Sequence, residues 1–231
     1  MSLPPRRHNR AFTLIEMISV IGIIALLVAL VTPTLLDVIR STRLSASGDS
    51  LVNRLSLAQQ SAVSMGSEVE LRFYRYLNST AERPGEELYY AYQVVHSPQA
   101  GLERALSEVY YLESGIILSR LEQLSPLLQT VNNQRPLRDG NYLFKPPGSA
   151  QPDTVSYAAM RFYPDGSMRM LTAAAATNGD VQAQARAYTV PTFDKSFLTI
   201  VESKDALSVQ PRNFFCVQID SYTGKTRVYR P

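Results

Sequence analysis

The sequence predicts an α+β protein in which one long amino-terminal helix packs on an antiparallel β-sheet. Three observations carry this. From Phe12 to Leu36 the chain is apolar, with the single charge Glu16. From Leu44 to Met65 apolar residues recur close to the 3.6-residue period of a helix. Beyond Gly66 the period drops to two, and the aromatic residues lean to tyrosine (13 Tyr, 8 Phe, no Trp), which suits strands.

These patterns divide the 231 residues into four segments. Residues 1–11 form a basic leader, 12–36 the transmembrane part of the helix, 37–66 its amphipathic part, and 67–231 an antiparallel β-rich globular domain. The leader holds Arg6, Arg7 and Arg10 and no acid, so the 23 basic residues of the chain fall to 20 against 20 acids once it is set aside. The formal charge of +3 therefore belongs to the leader, and no global attraction to nucleic acid or anionic lipid follows.

Taken in order, the apolar run of 12–36 is longer than the about 20 residues a membrane helix needs. The amphipathic stripe of Leu44, Leu51, Leu55, Ala58, Ala62 and Met65 lies opposite Arg43, Asp49, Asn53, Arg54 and Gln60. Gly66 is the stop. Unbroken from Phe12 to Met65, such a helix is roughly 80 Å long. Pro33 and Gly48 are the expected sites of a bend or local melting, because proline removes a backbone bond and glycine costs about 1 kcal/mol in a helix interior.

In "EVELRFYRY", Val69, Leu71 and Phe73 share one face of a strand, and "LYYAYQVVH" alternates from Leu88 to Val95. The polar "LNSTAERPGEE" between them is a hairpin loop. "EVYYLESGIIL" holds two short strands about Glu113–Gly115, and "LEQLSPLLQTV" a short helix or turn at Pro126. Residues 132–154 are a Pro, Gly and Asn-rich surface loop. "VSYAAMRFYPDGSMRML" is a hairpin turning at Pro164-Asp165-Gly166, and "TAAAATNGDVQAQARAYT" an exposed excursion. "SFLTIVES" is an apolar strand, and "NFFCVQIDSYTGKTRVYRP" a final hairpin turning at Thr223-Gly224.

Catalytic groups are scarce. His8 lies in the leader, which leaves His96 at a strand end as the histidine of the remaining chain. A Ser-His-Asp or Cys-His site needs that residue, and a solvated strand-terminal role fits it better. The lone Cys216 excludes an intramolecular disulfide and reads as a small buried residue on a strand. No metal or phosphate motif is present, so no enzyme and no cofactor is expected.

Glu16 is the residue to explain, since a carboxylate inside a membrane helix costs roughly 3 kcal/mol at the centre and less near the interface. Neither a cleaved secretory signal, for which the apolar run is too long, nor a plain anchor accounts for it. "AFTLIEMISVIGIIALLVALVTPTL" resembles the amino-terminal motif of type IV pilins and type II secretion pseudopilins. The resemblance implies cleavage between Ala11 and Phe12 by a prepilin peptidase on the cytoplasmic face, with N-methylation of Phe12. The family usually has glycine before the cut, where this chain has Ala11. Glu16 takes the place of the family's acidic residue, implying an assembly contact with the new α-amino group of a neighbouring subunit. Pro33 matches a proline carried by many members.

The "FYPDGS" hairpin, the apolar strand after it and the final Gly-Lys hairpin resemble the sheet of H-type minor pseudopilins. "FFCVQIDSYTGKTRVYRP" and "ELRFYRY…AYQVV" are similar to the prepilin-like Verru_Chthon cassette protein D family. The resemblance implies a single-pass inner-membrane protein with a cytoplasmic amino terminus and a periplasmic domain. Its partners are other pilin or pseudopilin subunits of a pilus or a type II secretion-like pseudopilus serving protein secretion. Two alternatives stand beside it. One is a nucleic-acid-binding minor pilin of an uptake system, using Lys225, Arg227 and Arg230 among Tyr222 and Tyr229. The other is a membrane-tethered domain that does not polymerise.

Overall fold

The structure, a computed structural model, describes residues 12–78, 85–98, 103–131, 156–172 and 187–231. The predicted loop at 132–154 lies outside the described residues, as do 79–84 of the first hairpin loop and 173–186 of the Ala-rich excursion. The chain forms two compact units, Met1–Arg40 and Ser41–Pro231. The α-helical assignment, α1, runs from Leu14 to Met65 through both Pro33 and Gly48.

In the second unit the predicted stripe forms. Leu44, Leu51, Leu55, Ala58 and Ala62 are all buried, while Arg43, Asp49, Asn53 and Gln60 are exposed. Met65, read as part of the stripe, is instead 46% exposed. The helix ends one residue later, and among the described residues the sheet gives its last turn no cover. Gly66 closes the helix at φ 58°, with its N–H bonded to Val63 O and that of Ser67 to Ala62 O. This is the left-handed cap that glycine allows.

The expected melting at Gly48 does not occur, because the glycine serves packing. Its missing side chain makes room for the ring of Phe215, which lies against the helix backbone there and is 1% exposed. Sequence periodicity sees one helix at a time and could not report a ring arriving from the far end of the chain.

Among the described residues one antiparallel sheet holds β1 (Val69–Leu77), β2 (Glu87–His96), β3 (Arg104–Ala105), β4 (Tyr110–Tyr111), β5 (Ile116–Leu118), β6 (Ser156–Phe162), β7 (Met168–Thr172), β8 (Ala187–Thr189), β9 (Phe197–Glu202), β10 (Phe214–Ile219) and β11 (Thr226–Tyr229). The order is β11-β10-β9-β5-β2-β1-β6-β7-β8, with β3 and β4 also paired to β2. The end of the predicted excursion is thus a strand, β8, paired with β7. Pro126–Val131 forms the expected short helix, of 3-10 type, with proline at its first position where no N–H is needed.

The sheet buries both faces. Val69, Leu71, Phe73, Tyr92, Val94, Met160, Phe162, Leu198, Ile200, Phe215, Val217 and Ile219 join the helix stripe in one core. Tyr74, Tyr76, Leu88, Tyr90, Tyr157, Leu171 and Val201 form a second core on the opposite face. The alternation expected along β2 fails once. The register with β1 shifts between Tyr74 and Arg75, and Tyr90 and Ala91 consequently join the same core.

The two long hairpins, distant in the strand order, meet at their turns over Gln59. Met168 N–H donates to Ser221 O at 2.7 Å, and Gln59 Nε2 reaches Thr223 O at 2.5 Å and Gly166 O at 3.5 Å. Gly224 needs to be glycine twice over. Its φ is 65°, and a Cβ there would stand 2.6 Å from Gly166 O. The sheet therefore curls about the helix, which is why residues from both hairpins share the helix-side core.

Candidate functional site

The amino-terminal unit begins at the start of the helix. Thr13 precedes the first turn, and its carbonyl accepts the N–H of Met17 at 3.2 Å. Glu16 turns back on it. Oε2 accepts the Thr13 N–H at 3.3 Å and the Thr13 hydroxyl at 3.5 Å, while the Glu16 N–H donates to Thr13 Oγ1 at 3.3 Å. These reciprocal bonds are a capping box, which satisfies donors that every helix start leaves unpaired. The Thr-x-x-Glu spacing is visible in "TLIE", yet the apolar context directs attention to the charge alone. The structure adds a local role to the expected intermolecular one.

Every described side chain from Phe12 to Ala29 is exposed, including Leu14, Ile18 and Ile21. A helix that is apolar on all sides is stable only when something covers it all round. The Ser19 hydroxyl is satisfied internally by Ile15 O at 2.8 Å, so it needs no outside partner. Among the described residues no helix is long and apolar enough to cross a membrane. The stretch whose side chains are described, 14–29, falls short of the about 20 residues required. Ala11 lies outside the described residues, and Pro33 sits within α1.

The carboxy-terminal basic residues do not form one cluster. In β11, Arg227 lies opposite Gln218 and Tyr229 opposite Cys216, on the face away from the helix. Tyr229 donates its hydroxyl to Gln218 Oε1 at 3.1 Å. Arg230 belongs to the other face. Its Nη2 meets Asp49 Oδ1 at 2.6 Å, and its guanidinium lies 4.3 Å from the centre of the Phe215 ring. Lys225 is exposed beside Gly224. Asp220 is held below the ordinary carboxylate range by the backbone N–H of Tyr222, with Arg227 adding to the effect. Arg230 thus clamps the helix to the sheet, and Lys225 and Arg227 remain at the surface.

Two further expectations change in detail. His96 is half-buried, and its Nε2 lies 2.9 Å from Ser67 Oγ, fastening the end of β2 to the helix exit. Cys216 is only partly buried, on the face away from the helix, and burial pushes its thiol up.

The sequence reading missed a buried ionic network on that same face. Glu70 is fully buried and accepts Arg72 Nε at 2.8 Å, Arg161 Nη2 at 2.7 Å and the Tyr188 hydroxyl. Arg72 also meets Glu103 at 2.6 Å, and Arg161 meets Glu68 at 2.9 Å. The Arg161 guanidinium covers the Tyr188 ring at 3.9 Å. Burial works against the charge on Arg72, yet Glu70 and Glu103 hold its proton more firmly than water does. The alternation of β1 puts Glu70 and Arg72 on one face, which was the available signal. The network ties β1, β6 and β8 together, so the chemistry it offers is cohesion.

A family model described as the prokaryotic N-terminal methylation motif matches residues 6–32. The match covers the leader, the Ala11–Phe12 junction, the capping box and the exposed apolar helix. It supports a type IV pilin-like family and marks the chain as a prepilin-like substrate for prepilin peptidase. No curated protein and no solved structure matches the chain.

Proposed function

We propose that the protein is a minor pilin or pseudopilin-like subunit, cut between Ala11 and Phe12, N-methylated at Phe12 and assembled into a pilus or a type II secretion-like pseudopilus. It works by assembly and carries out no catalysis of its own. The observation that carries this reading is the methylation motif over residues 6–32, lying on a helix start whose apolar side chains are exposed on all sides. Residues 12–36 anchor the precursor in the inner membrane with the leader in the cytoplasm and the domain in the periplasm. In the filament, neighbouring helices replace lipid as the cover.

Glu16 is the assembly residue. A carboxylate in an apolar core is tolerable when an opposite charge meets it, and the cut creates that charge as the α-amino group of Phe12. Ala11 is the nearest residue in size to the glycine usual before the cut.

Mass spectrometry of the amino terminus in cells with an active prepilin peptidase tests the processing step. Methyl-phenylalanine at residue 12 is expected, and an intact Met1–Ala11 leader overturns the reading. Glu16→Gln then separates the two tasks of the carboxylate. The amide keeps an oxygen for Thr13 but loses the charge, so co-purification with neighbouring subunits is expected to fall while cleavage persists. Undiminished recovery of neighbours with Glu16→Gln and Glu16→Ala alike favours a tethered domain that does not polymerise.

A further inference from the structure

The β9–β10 loop, Ser203–Asn213, presents Leu207 and Val209 to solvent, each 52% exposed. Branched aliphatic side chains left that open are unusual when their own loop is firmly held. This one is held at both ends. Ser203 is buried, with its N–H on Gly115 O at 2.8 Å, and Ala206 is fully buried in the core away from the helix. Turn bonds from Ala206 to Ser203 and from Ser208 to Asp205 fix the backbone between. Leu207 and Val209 therefore project outward on a rigid support, so their exposure is not the product of a loose segment.

Their place in the domain suggests what they meet. Arg43 Nη1 donates to Ser114 O at 3.4 Å, and the carbonyl of the next residue, Gly115, holds Ser203. Ser47 Oγ accepts the Glu113 N–H at 3.3 Å on the same side. The loop thus lies at the end of the domain where its chain begins, Ser41. The last residue of the apolar run, Leu36, precedes Ser41 by a stretch that spans at most about 18 Å when fully extended.

We propose that this loop is an interfacial foot. Leu207 and Val209 rest in the boundary between headgroups and acyl chains of the bilayer in which residues 12–36 are anchored. The inference rests on the anchoring stated under Proposed function. Charge at this end is balanced. Lys204 is paired with Glu202 at 2.8 Å, and the exposed Arg43 and Arg212 stand with Glu113 and Asp205. Apolar insertion, not attraction to anionic lipid, is the driving force. Two side chains make a weak contact, but tethering raises the local concentration of the surface and makes a weak contact sufficient. Its consequence is orientation: the domain stands on the membrane in a fixed pose while the subunit awaits assembly.

The test uses the full chain with Cys216→Ser, reconstituted in phosphatidylcholine vesicles, with an environment-sensitive fluorophore at Leu207→Cys or, as a control, at Tyr222→Cys. Tyr222 lies by the turns at Gln59, away from the foot, and is 79% exposed. Vesicle flotation is read first. With the protein on the vesicles, the label at 207 is expected to shift to the blue. Lipids spin-labelled near the headgroup should quench it roughly twofold more than the label at 222. Raising the salt concentration is expected to leave that difference in place. Equal emission and quenching at the two positions on floating vesicles overturn the foot and leave the anchor standing. A protein that does not float overturns the anchor and the foot together. A blue shift at 207 that escapes lipid quenching and grows with protein density assigns the surface to a second copy of the chain, which also overturns the proposal.

Discussion

Gly48→Ala sets helix propensity against packing, and the structure decides the sign. In an exposed helix interior the change stabilises by about 1 kcal/mol. Here the new methyl group enters space held by the Phe215 ring. That ring has no route of retreat. Its strand is paired with β9 on one side and β11 on the other, and the Arg230 guanidinium lies over it at 4.3 Å. Overpacking of this kind costs about 1–3 kcal/mol. The expected net effect is a loss of about 1–2 kcal/mol, which for a domain of this size lowers Tm by roughly 3–8 °C. The assay is thermal and urea unfolding of the full chain in detergent, with Phe215→Leu and the double variant completing a cycle. Gly48→Ala should cost less in the Phe215→Leu background, because the smaller side chain leaves room. A variant more stable than the parent, or a cycle with no coupling, refutes the account of Gly48 as a packing residue.

Arg161→Ala leaves the buried Glu70 facing one fewer cation, and urea unfolding is expected to show a loss of about 3 kcal/mol or more. Arg161→Met combined with Glu70→Gln should cost less than the sum of the two single changes. Arg230→Ala removes the pair with Asp49 and the cover over Phe215, for a loss of about 1 kcal/mol, while Lys225→Ala and Arg227→Ala stay within about 0.5 kcal/mol. Any test of nucleic-acid binding by charge reversal therefore belongs at Lys225 and Arg227, where the fold is not disturbed. Burial raises Tyr89 from 10.0 to about 12, and Tyr76 and Tyr92 higher still. The unfolded chain then releases protons first, so this stability is complete below about pH 10 and is lost as pH rises through the folded values. Tyrosinate absorbance and circular dichroism, followed together, should show these residues ionising in step with unfolding.

The helix stripe, the period-two strands and both long hairpins were legible because each depends on residues near one another in the sequence. Leu51 and Leu55 face the core for the same reason that their spacing is helical. The parts that stayed hidden depend on distant residues. Gly48 reads as a weak point until Phe215 arrives, and Arg230 reads as a solvated terminal charge until Asp49 is found beside it. Glu70 and Arg72 look like ordinary polar positions on a half-exposed strand. Their burial follows from the second core, whose members come from strands across the whole sheet. Asp165 and Asp220 were legible as turn residues, each with an oxygen on the N–H two positions on. That the two turns also meet over Gln59 was not.

The amino terminus combines a local task with one that needs a partner, and the magnitudes separate them. A capping interaction contributes about 0.5–2 kcal/mol, and the Thr13–Glu16 distances of 3.3–3.5 Å place this one among the weaker examples. A carboxylate in lipid costs roughly 3 kcal/mol at the bilayer centre and less towards the interface. The cap therefore offsets part of the cost and leaves a remainder that an opposite charge can remove. Both bonds to the carboxylate fall on Oε2, which leaves Oε1 for another donor. On the proposed reading that donor is the amine freed at Phe12 of a neighbouring subunit, so the remainder is relieved only after processing and only by assembly. The same glutamate can then hold its own helix start in the membrane and still favour the filament.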